Sequence, residues 1–224
     1  MDNAGDYALG IDEAGRGAVM GPLVVAGVFL KTDVLSSLES LGVADSKCFG
    51  SSPSAQKKRK EIAASITQIG LAIVVKVSSC AVDQWTRRQG LNLLEIKCAQ
   101  YILESGPCVK WAVADGEKIF APLARKYPFL SARNRADENE PLVSAASIVA
   151  KHERDLSMNA ILDSYKNICA DPAGGGYVNK KTEVLLRAYY SVHKNLPSEV
   201  RRSWKWRILD ELSGKKKEGQ IDLF

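Results

Sequence analysis

The first thirty residues constrain the fold more than any other part of the chain. Two apolar, valine-rich stretches, residues 7–11 and 23–30, flank a glycine-rich loop. Short apolar runs that are bounded by glycine are typical of buried strands. The pattern therefore predicts a buried, hairpin-like pair of strands.

The rest of the chain alternates between strand and helix patterns. Apolar runs predict further strands over residues 71–77, 111–114 and 129–132. Apolar spacing of about 3.6 residues predicts helices over residues 55–69, 91–103, 119–126, 142–164 and 182–190. This order predicts a mixed α/β core over residues 1–170, a helical C-terminal region over residues 171–214 and a flexible tail over residues 215–224.

Composition excludes several classes of protein. Lys and Arg outnumber Asp and Glu by 31 to 26, a modest excess that suits a polyanionic partner without requiring one. The five cysteines are widely spaced and form no CxxC pair, so neither a disulfide framework nor a thiolate zinc site is indicated. The acidic N-terminus lacks the features of a secretory signal, and no apolar run is long enough to span a membrane. We expect a soluble, cytoplasmic monomer.

Acidic residues follow two of the predicted strands. Asp12 and Glu13 end the first strand, and Asp115 follows the apolar run at residues 111–114. If these strands are neighbours, three carboxylates meet at one sheet edge, which is repulsive unless a divalent cation lies between them. A solvated strand end is the usual interpretation of a lone pair such as Asp12 and Glu13, and the presence of Asp115 raises the weight of the cation site.

The type of ligand indicates which metal such a site would bind. Oxygen ligands without histidine favour Mg²⁺ or Mn²⁺ over zinc, and the chain contains only His152 and His193. Asp137, shortly before Pro141, is a fourth candidate ligand. Alternatively, Asp137 is an exposed loop acid whose charge is favoured by the dipole of the helix that follows it.

The loop after the first acids contains Gly15, Arg16 and Gly17. It is either a tight turn or a place where backbone amides and an arginine approach a phosphate closely. The chain has neither a GxGxxG segment after a strand nor a GK[ST] segment, so the common nucleotide-binding loops are disfavoured.

Taken together, several segments resemble the ribonuclease HII family. They are GIDEAGRG at residues 10–17 with Gly21 and Pro22, LGVADSK at residues 41–47, Asp115 with Gly116, and PLVSAASIVAK at residues 141–151. The similarity spans nearly the whole chain. Residues 174–182 and 196–204 resemble the archaeal branch.

The resemblance implies a fold and an activity. The expected fold is ribonuclease H-like, with a mixed five-stranded sheet flanked by helices and a small helical C-terminal region. The expected enzyme is an endonuclease, dependent on Mg²⁺ or Mn²⁺, that hydrolyses the RNA strand of RNA/DNA hybrids and cleaves 5′ of ribonucleotides embedded in duplex DNA. We expect products with 5′-phosphate and 3′-hydroxyl ends.

The resemblance also implies roles for individual residues. It makes metal ligands and catalytic residues of Asp12, Glu13, Asp115 and Asp137. It implies that the 2′-hydroxyl is recognised by the backbone of Gly15, Arg16 and Gly17 together with Tyr177, and that Lys47 lies near substrate phosphates. Residues 178–181 depart from the archaeal pattern by adding two lysines beside Tyr177, so the preference for RNA-to-DNA junctions is less firmly implied than hydrolysis.

Two C-terminal segments have two interpretations each. Basic residues interleave with Trp204 and Trp206, which indicates either a duplex-binding patch or a solvated helix face with the tryptophans in the core. The basic residues are Arg201, Arg202, Lys205 and Arg207. Residues 220–224 loosely resemble peptides that dock on sliding clamps, and a disordered tail is the alternative.

Two rival functions remain. A catalytically silent subunit that binds RNA/DNA hybrids would share the fold, although the presence of all four acids disfavours it. A type 3 ribonuclease H would share the reaction on hybrids but usually has a different loop after the first acids and an added N-terminal domain. We expect no such domain, because the first strand begins by Tyr7.

Overall fold

The computed structural model describes residues 6–43, 50 and 52–214, and its centre is a five-stranded sheet. The strands are β1 Tyr7–Ala14, β2 Leu23–Lys31, β3 Leu71–Val77, β4 Val109–Asp115 and β5 Leu130–Arg133. Their order across the sheet is β3-β2-β1-β4-β5. The first three strands are antiparallel, whereas β4 and β5 run parallel to β1. The predicted mixed sheet and its five strands are confirmed.

Helices surround the sheet and form most of the C-terminal part of the described chain. They are α1 Ser37–Ser40, α2 Pro53–Ile69, α3 Ser79–Arg88, α4 Leu91–Ser105, α5 Glu117–Lys126, α6 Ala136–Asn139, α7 Pro141–Ser164, α8 Lys180–His193 and α9 Arg207–Leu212. The five helices predicted from the sequence are confirmed. The sequence patterns did not indicate α1, α3, α6 and α9, because three of these helices are six residues or shorter and α3 buries only one large apolar side chain, Val82.

Apolar residues from helices cover both faces of the sheet, which is why β2 is buried except at Lys31. Helices α2 and α7 pack on one face, and α4 and α5 on the other. The start of α7 lies very close to β1, since a Cβ added at Gly10 would come within 2.3 Å of the Leu142 carbonyl oxygen. The lack of a side chain at Gly10 therefore allows the start of α7 to pass directly over the middle of β1.

The C-terminal helices pack mainly on the loop between β1 and β2. Val19 and Met20 of that loop share a buried cluster with Leu185, Val200 and Leu209. The loop thus lies between the sheet and the C-terminal region, and the boundary at residue 171 stays a prediction. Across the described ranges, none of the helices combines the length and apolarity that a bilayer crossing requires.

Candidate active site

The pairing of β1 with β4 brings two acids to one edge of the sheet. Ile11 pairs with Ala114 in parallel register, so Asp12 and Asp115 follow at equivalent positions on neighbouring strands. Such strands lie about 4.8 Å apart. The expectation that the first strand is adjacent to the strand ending in Asp115 is therefore confirmed.

Asp12 is buried, with 5% of its surface exposed. Its Oδ1 accepts a hydrogen bond of 2.8 Å from the Glu13 backbone N–H. Burial raises the pKa of Asp12 well above its usual value, and repulsion from Glu13 adds to the increase, whereas Ser147 and Lys151 of α7 oppose it. The buried Ser147 hydroxyl lies near Asp12 but makes no hydrogen bond of ordinary geometry with any described residue. The alternative of a solvated strand end is wrong for Asp12.

Glu13 lies beside a second acid that the sequence analysis missed. Burial raises the pKa of Glu13 to about 7, and the negative charges of Glu95 and Asp115 add to the effect, while Arg16 opposes it. Glu95 of α4 is fully buried, and burial raises its pKa to about 7 against the opposing effect of Arg16. The sequence did contain a signal, because Glu95 lies four residues after Leu91 on the apolar stripe of α4.

Asp115 is hydrogen-bonded to the segment that contains Asp137. Its Oδ1 accepts a hydrogen bond of 2.8 Å from the Ala136 N–H. Ala136 begins α6 directly after Arg135, which has a left-handed backbone with φ of 56°. Asp137, the next residue, is half-buried in the first turn of this helix. The hydrogen bond therefore keeps Asp137 close to the sheet edge.

The acids have the chemistry that a hard divalent cation requires. Among the described residues, no group of three or more His, Cys, Asp or Glu side chains is arranged to hold a metal ion. The donors at the sheet edge are nevertheless carboxylates, which suit Mg²⁺ or Mn²⁺. Burial and mutual repulsion raise the pKa values of Asp12 and Glu13, and a bound cation would relieve that repulsion. The residues thus fit such an ion.

The Arg16 side chain points towards α4. Its guanidinium forms an ion pair with Glu95, and its Nη2 donates a hydrogen bond of 2.6 Å to Asn92 Oδ1. The two glycines beside Arg16 differ, since Gly15 is buried with φ of 84° and Gly17 is exposed. The loop therefore presents the backbone of Gly17 to solvent, while the guanidinium of Arg16 is held by an acid.

The position of Arg201 contradicts its predicted place in a surface patch of the C-terminal basic segment. It is fully buried, and its guanidinium donates hydrogen bonds to the carbonyl oxygens of Gly15 (2.8 Å), Arg16 (3.1 Å) and Gly21 (3.0 Å). Its assignment to a duplex-binding patch is wrong, because its side chain supports the glycine loop from inside the molecule. The residue's guanidinium also lies 4.9 Å from the ring of Trp204.

The structure also changes the interpretation of the other residues of that segment. Trp204 and Trp206 are half-buried and pack against the apolar clusters, so the core interpretation is confirmed for both. Residues 201–206 are not helical, and Arg207 pairs with Glu211 at 2.6 Å. Of the four basic residues, only Arg202 and Lys205 are exposed without a described acidic partner.

Arg154 of α7 joins the glycine loop to Tyr177. Its Nη2 donates hydrogen bonds to the Gly175 oxygen at 2.9 Å and the Met20 oxygen at 3.3 Å, and its guanidinium lies 4.7 Å from the centre of the Tyr177 ring. The N–H groups of Val19 and Met20 donate to the Gly176 oxygen at 2.9 and 3.0 Å. Tyr177, which is 44% exposed, therefore lies beside the loop from Gly15 to Gly21. Lys47 lies outside the described residues.

Comparisons with known proteins agree with this geometry. The model of the family described as ribonuclease HII matches residues 9–207. A ribonuclease HII from Methanococcus maripaludis (strain C6) is 32% identical over 213 residues, which cover 90% of this chain and 85% of the relative.

Two solved archaeal structures are also similar. The match in the PCNA:RNase HII complex from Archaeoglobus fulgidus has a TM-score of 0.75 and 34% identity, and it covers 90% of this chain and 96% of the matched chain. The ribonuclease H2 from Pyrococcus horikoshii OT3 has a TM-score of 0.79 and 28% identity over 93% of this chain and 97% of the matched chain. The family match, the shared fold and the acids at the sheet edge lead to one conclusion: this chain belongs to the ribonuclease HII family of endoribonucleases.

Proposed function

We propose that this enzyme hydrolyses the RNA strand of RNA/DNA hybrids and also cleaves 5′ of single ribonucleotides embedded in duplex DNA. The observation that carries the proposal is the adjacency of Asp12 and Asp115 at one sheet edge, close to the loop from Gly15 to Gly21. A site for phosphodiester hydrolysis thus lies next to a backbone surface that is suited to recognising a ribose.

Asp12, Glu13, Asp115 and Asp137 would hold the divalent metal ions on which the family depends. Bound there, Mg²⁺ or Mn²⁺ supplies activation of the attacking water and neutralisation of the charge that develops on the phosphate. The carboxylates must lose their protons to bind a cation. Lys151, whose charge lowers the pKa of Asp12, favours that ionised form. Products would have 5′-phosphate and 3′-hydroxyl ends.

Discrimination between RNA and DNA has to depend on the 2′-hydroxyl, which is the group that lets a protein tell the two backbones apart. The exposed backbone at Gly17 and the Tyr177 side chain are the groups proposed to contact it. Both belong to segments that Arg154 and Arg201 fix by hydrogen bonds to carbonyl oxygens. A preorganised contact would lose little conformational entropy when the ribose binds.

A cleavage assay on three duplexes tests the proposal. The duplexes are a full RNA/DNA hybrid, a DNA duplex with one ribonucleotide and the all-DNA duplex. We expect Mg²⁺-dependent cleavage of the first two, no cleavage of the third, and no activity for Asp12→Asn. Asp210→Asn, which changes an exposed acid on α9, is the matched control and should cleave normally.

The same assay separates the rival functions. A protein that cut the hybrid but not the duplex with one ribonucleotide would behave as a type 3 ribonuclease H. A protein that bound both duplexes without cutting either, in Mg²⁺ and in Mn²⁺, would be a silent binding subunit. Either outcome would contradict the proposed function.

We also propose that the tail at residues 220–224 binds a sliding clamp. The proposal is supported by the similar ribonuclease HII whose structure was determined with PCNA and by the glutamine and apolar residues of the tail. The tail lies outside the described residues. Deletion after Gly214 should abolish clamp binding and leave cleavage of free duplexes unchanged, and undiminished clamp binding would refute the assignment. A cytoplasmic location and a monomeric state remain part of the proposal.

A further inference from the structure

Three arginines line an open groove between α3 and the segment at residues 198–202. They are Arg87 and Arg88, in the last turn of α3, and Arg202. All three are exposed, and the groove has a volume of about 490 Å³. The groove is thus a concave surface with a strong local excess of positive charge.

One face of α3 forms a wall of this groove. The lining residues of α3 recur at intervals of three or four and therefore share a face of the helix. They are Cys80, Asp83, Gln84, Arg87 and Arg88. Asp83 connects this wall to the opposite one, because its carboxylate accepts hydrogen bonds from the N–H groups of Arg202 (2.6 Å) and Ser203 (3.0 Å) and from the Ser203 hydroxyl (2.5 Å). The two walls are therefore fixed relative to each other.

The charge of these arginines is not neutralised by neighbouring acids. Several exposed arginines elsewhere in the protein form ion pairs, as Arg133 does with Glu140 and Arg187 with Glu183. By contrast, the groove arginines form no ion pair with a carboxylate of the described ranges. Asp83, the acid in the lining, is occupied by the three bonds to residues 202 and 203. The groove therefore retains donors for an external anion.

The helix that forms one wall of the groove contacts the glycine loop at its first turn. The Ser79 hydroxyl at the start of α3 donates a hydrogen bond of 3.0 Å to the Gly21 oxygen, which also accepts from Arg201. Arg87 lies eight residues further along α3, or about 12 Å at 1.5 Å per residue. The arginines of α3 are thus about two turns of the helix away from its contact with the glycine loop.

We propose that this groove binds backbone phosphates of the substrate duplex on one side of the ribonucleotide. The inference rests on the proposed function, since it takes the duplex to be the substrate. Planar guanidinium groups suit phosphate oxygens, with which they form paired, charge-assisted hydrogen bonds. Phosphate contacts away from the scissile bond strengthen binding and leave the chemical step unchanged.

Salt dependence of binding tests the groove directly. The triple variant Arg87→Ala, Arg88→Ala, Arg202→Ala should bind a long duplex with one ribonucleotide at least about 10-fold more weakly at 0.1 M salt. The slope of log affinity against log salt should become shallower by about 2 to 3, because each lost phosphate contact removes about 0.9. The kcat at saturating substrate should not change. Arg187→Ala, an exposed arginine on α8 that is paired with Glu183, is the matched control and should keep the wild-type slope.

Shortened duplexes test the position of the contact. Duplexes that end two base pairs from the ribonucleotide on one side or the other should weaken wild-type binding more strongly on the side that reaches the groove. The triple variant should be insensitive to shortening on that side. Replacement of all three arginines by lysine should restore most of the salt slope, which separates loss of charge from loss of fold.

The possible failures can be told apart. If the triple variant keeps the wild-type affinity and salt slope, the groove proposal is overturned, while cleavage at a single ribonucleotide still supports the proposed function. A decrease in kcat at saturating substrate, with affinity unchanged, would also overturn the groove proposal. If the wild-type enzyme does not cut the duplex with one ribonucleotide, the proposed function itself fails.

Discussion

The acidic edge of the sheet and the glycine loops beside it are held in place by different forces. Asp12 and Asp115 are positioned by the backbone pairing of β1 with β4 and by the cover of α7. The loops at residues 15–21 and 174–177 are held by side-chain hydrogen bonds from Arg201 and Arg154 to backbone oxygens. The acids thus depend on the core, whereas the loops depend on two buried arginines in addition to the packing of Val19 and Met20.

The difference follows from what each region can bury. Strands carry apolar side chains on both faces of this sheet, so their positions are determined by packing. Glycine loops have few side chains to pack, and their buried carbonyl groups need hydrogen-bond partners. A guanidinium carries five N–H donors and can satisfy several carbonyls at once. Arg201 does so for three carbonyls.

Removal of one charge at the acidic edge should have the largest effect. Asp115→Asn retains an Oδ1 that can accept the hydrogen bond from Ala136, so the fold and α6 should be preserved. Loss of the charged ligand should decrease kcat by about 10³-fold or more, because metal-assisted charge stabilisation contributes several kcal/mol. Single-turnover cleavage of a hybrid measures this, with circular dichroism as the check on folding. Near wild-type activity would remove Asp115 from the site.

The second prediction concerns the support of the glycine loop. Arg201→Ala removes a donor from three carbonyl oxygens, of which Gly15 and Gly21 keep one other donor each, and we expect a decrease in the unfolding free energy of about 3 kcal/mol. The neighbouring exposed residue provides the control, since Arg202→Ala should change stability by less than about 0.5 kcal/mol. Urea denaturation of both variants measures the difference. Equal stabilities would mean that the loop is held by packing alone.

A smaller effect is expected where the loop meets Tyr177. Arg154→Lys keeps the positive charge but lacks the planar group that spans the Gly175 oxygen and the tyrosine ring. Cleavage at a single ribonucleotide should fall about 10-fold relative to cleavage of a full hybrid, because lysine does not reproduce the geometry of a stacked arginine. The ratio of kcat/KM on the two duplexes measures this effect. An unchanged ratio would show that Tyr177 does not need this support.

The smallest expected effect is on stability as a function of pH. Burial raises the pKa values of Glu13 and Glu95 in the folded protein to about 7, above their unfolded values near 4.5, so the folded state binds protons more tightly. Their contribution to stability is therefore largest at low pH and is lost as the pH rises through about 7. Metal-free protein should have a lower unfolding free energy at pH 8 than at pH 6.

Two controls sharpen the pH prediction. Glu95→Gln should reduce the difference between the two pH values, and saturating Mg²⁺ should raise stability more at pH 8 than at pH 6, because ionised carboxylates bind the cation. Chemical denaturation in the presence of a chelator, with and without added Mg²⁺, measures both changes. Higher stability at pH 8 in the metal-free protein would contradict the assigned direction.

Sequence patterns were informative where a local rule links them to structure. Apolar runs predicted all five strands, and acids at the ends of two of them indicated that Asp12 and Asp115 lie at one sheet edge if those strands are neighbours, which the register of β1 and β4 confirms. The patterns did not reveal Glu95, which has the residue type of a surface position and the spacing of a core position. They were misleading for Arg201, since a basic residue among other basic residues is usually exposed.

By itself, the sequence determined the five strands and five of the helices along the chain, the family resemblance and the acids that are proposed to bind metal. These follow from local periodicity and from motifs of a few adjacent residues. Only the tertiary structure decided that Arg201 and Arg154 are internal supports and that Arg202 joins Arg87 and Arg88 in one groove. The physical reason is that a side chain is buried or exposed according to what packs against it. The carbonyl oxygens that accept hydrogen bonds from Arg201 belong to a loop about 180 residues earlier in the chain, so no local pattern could indicate them.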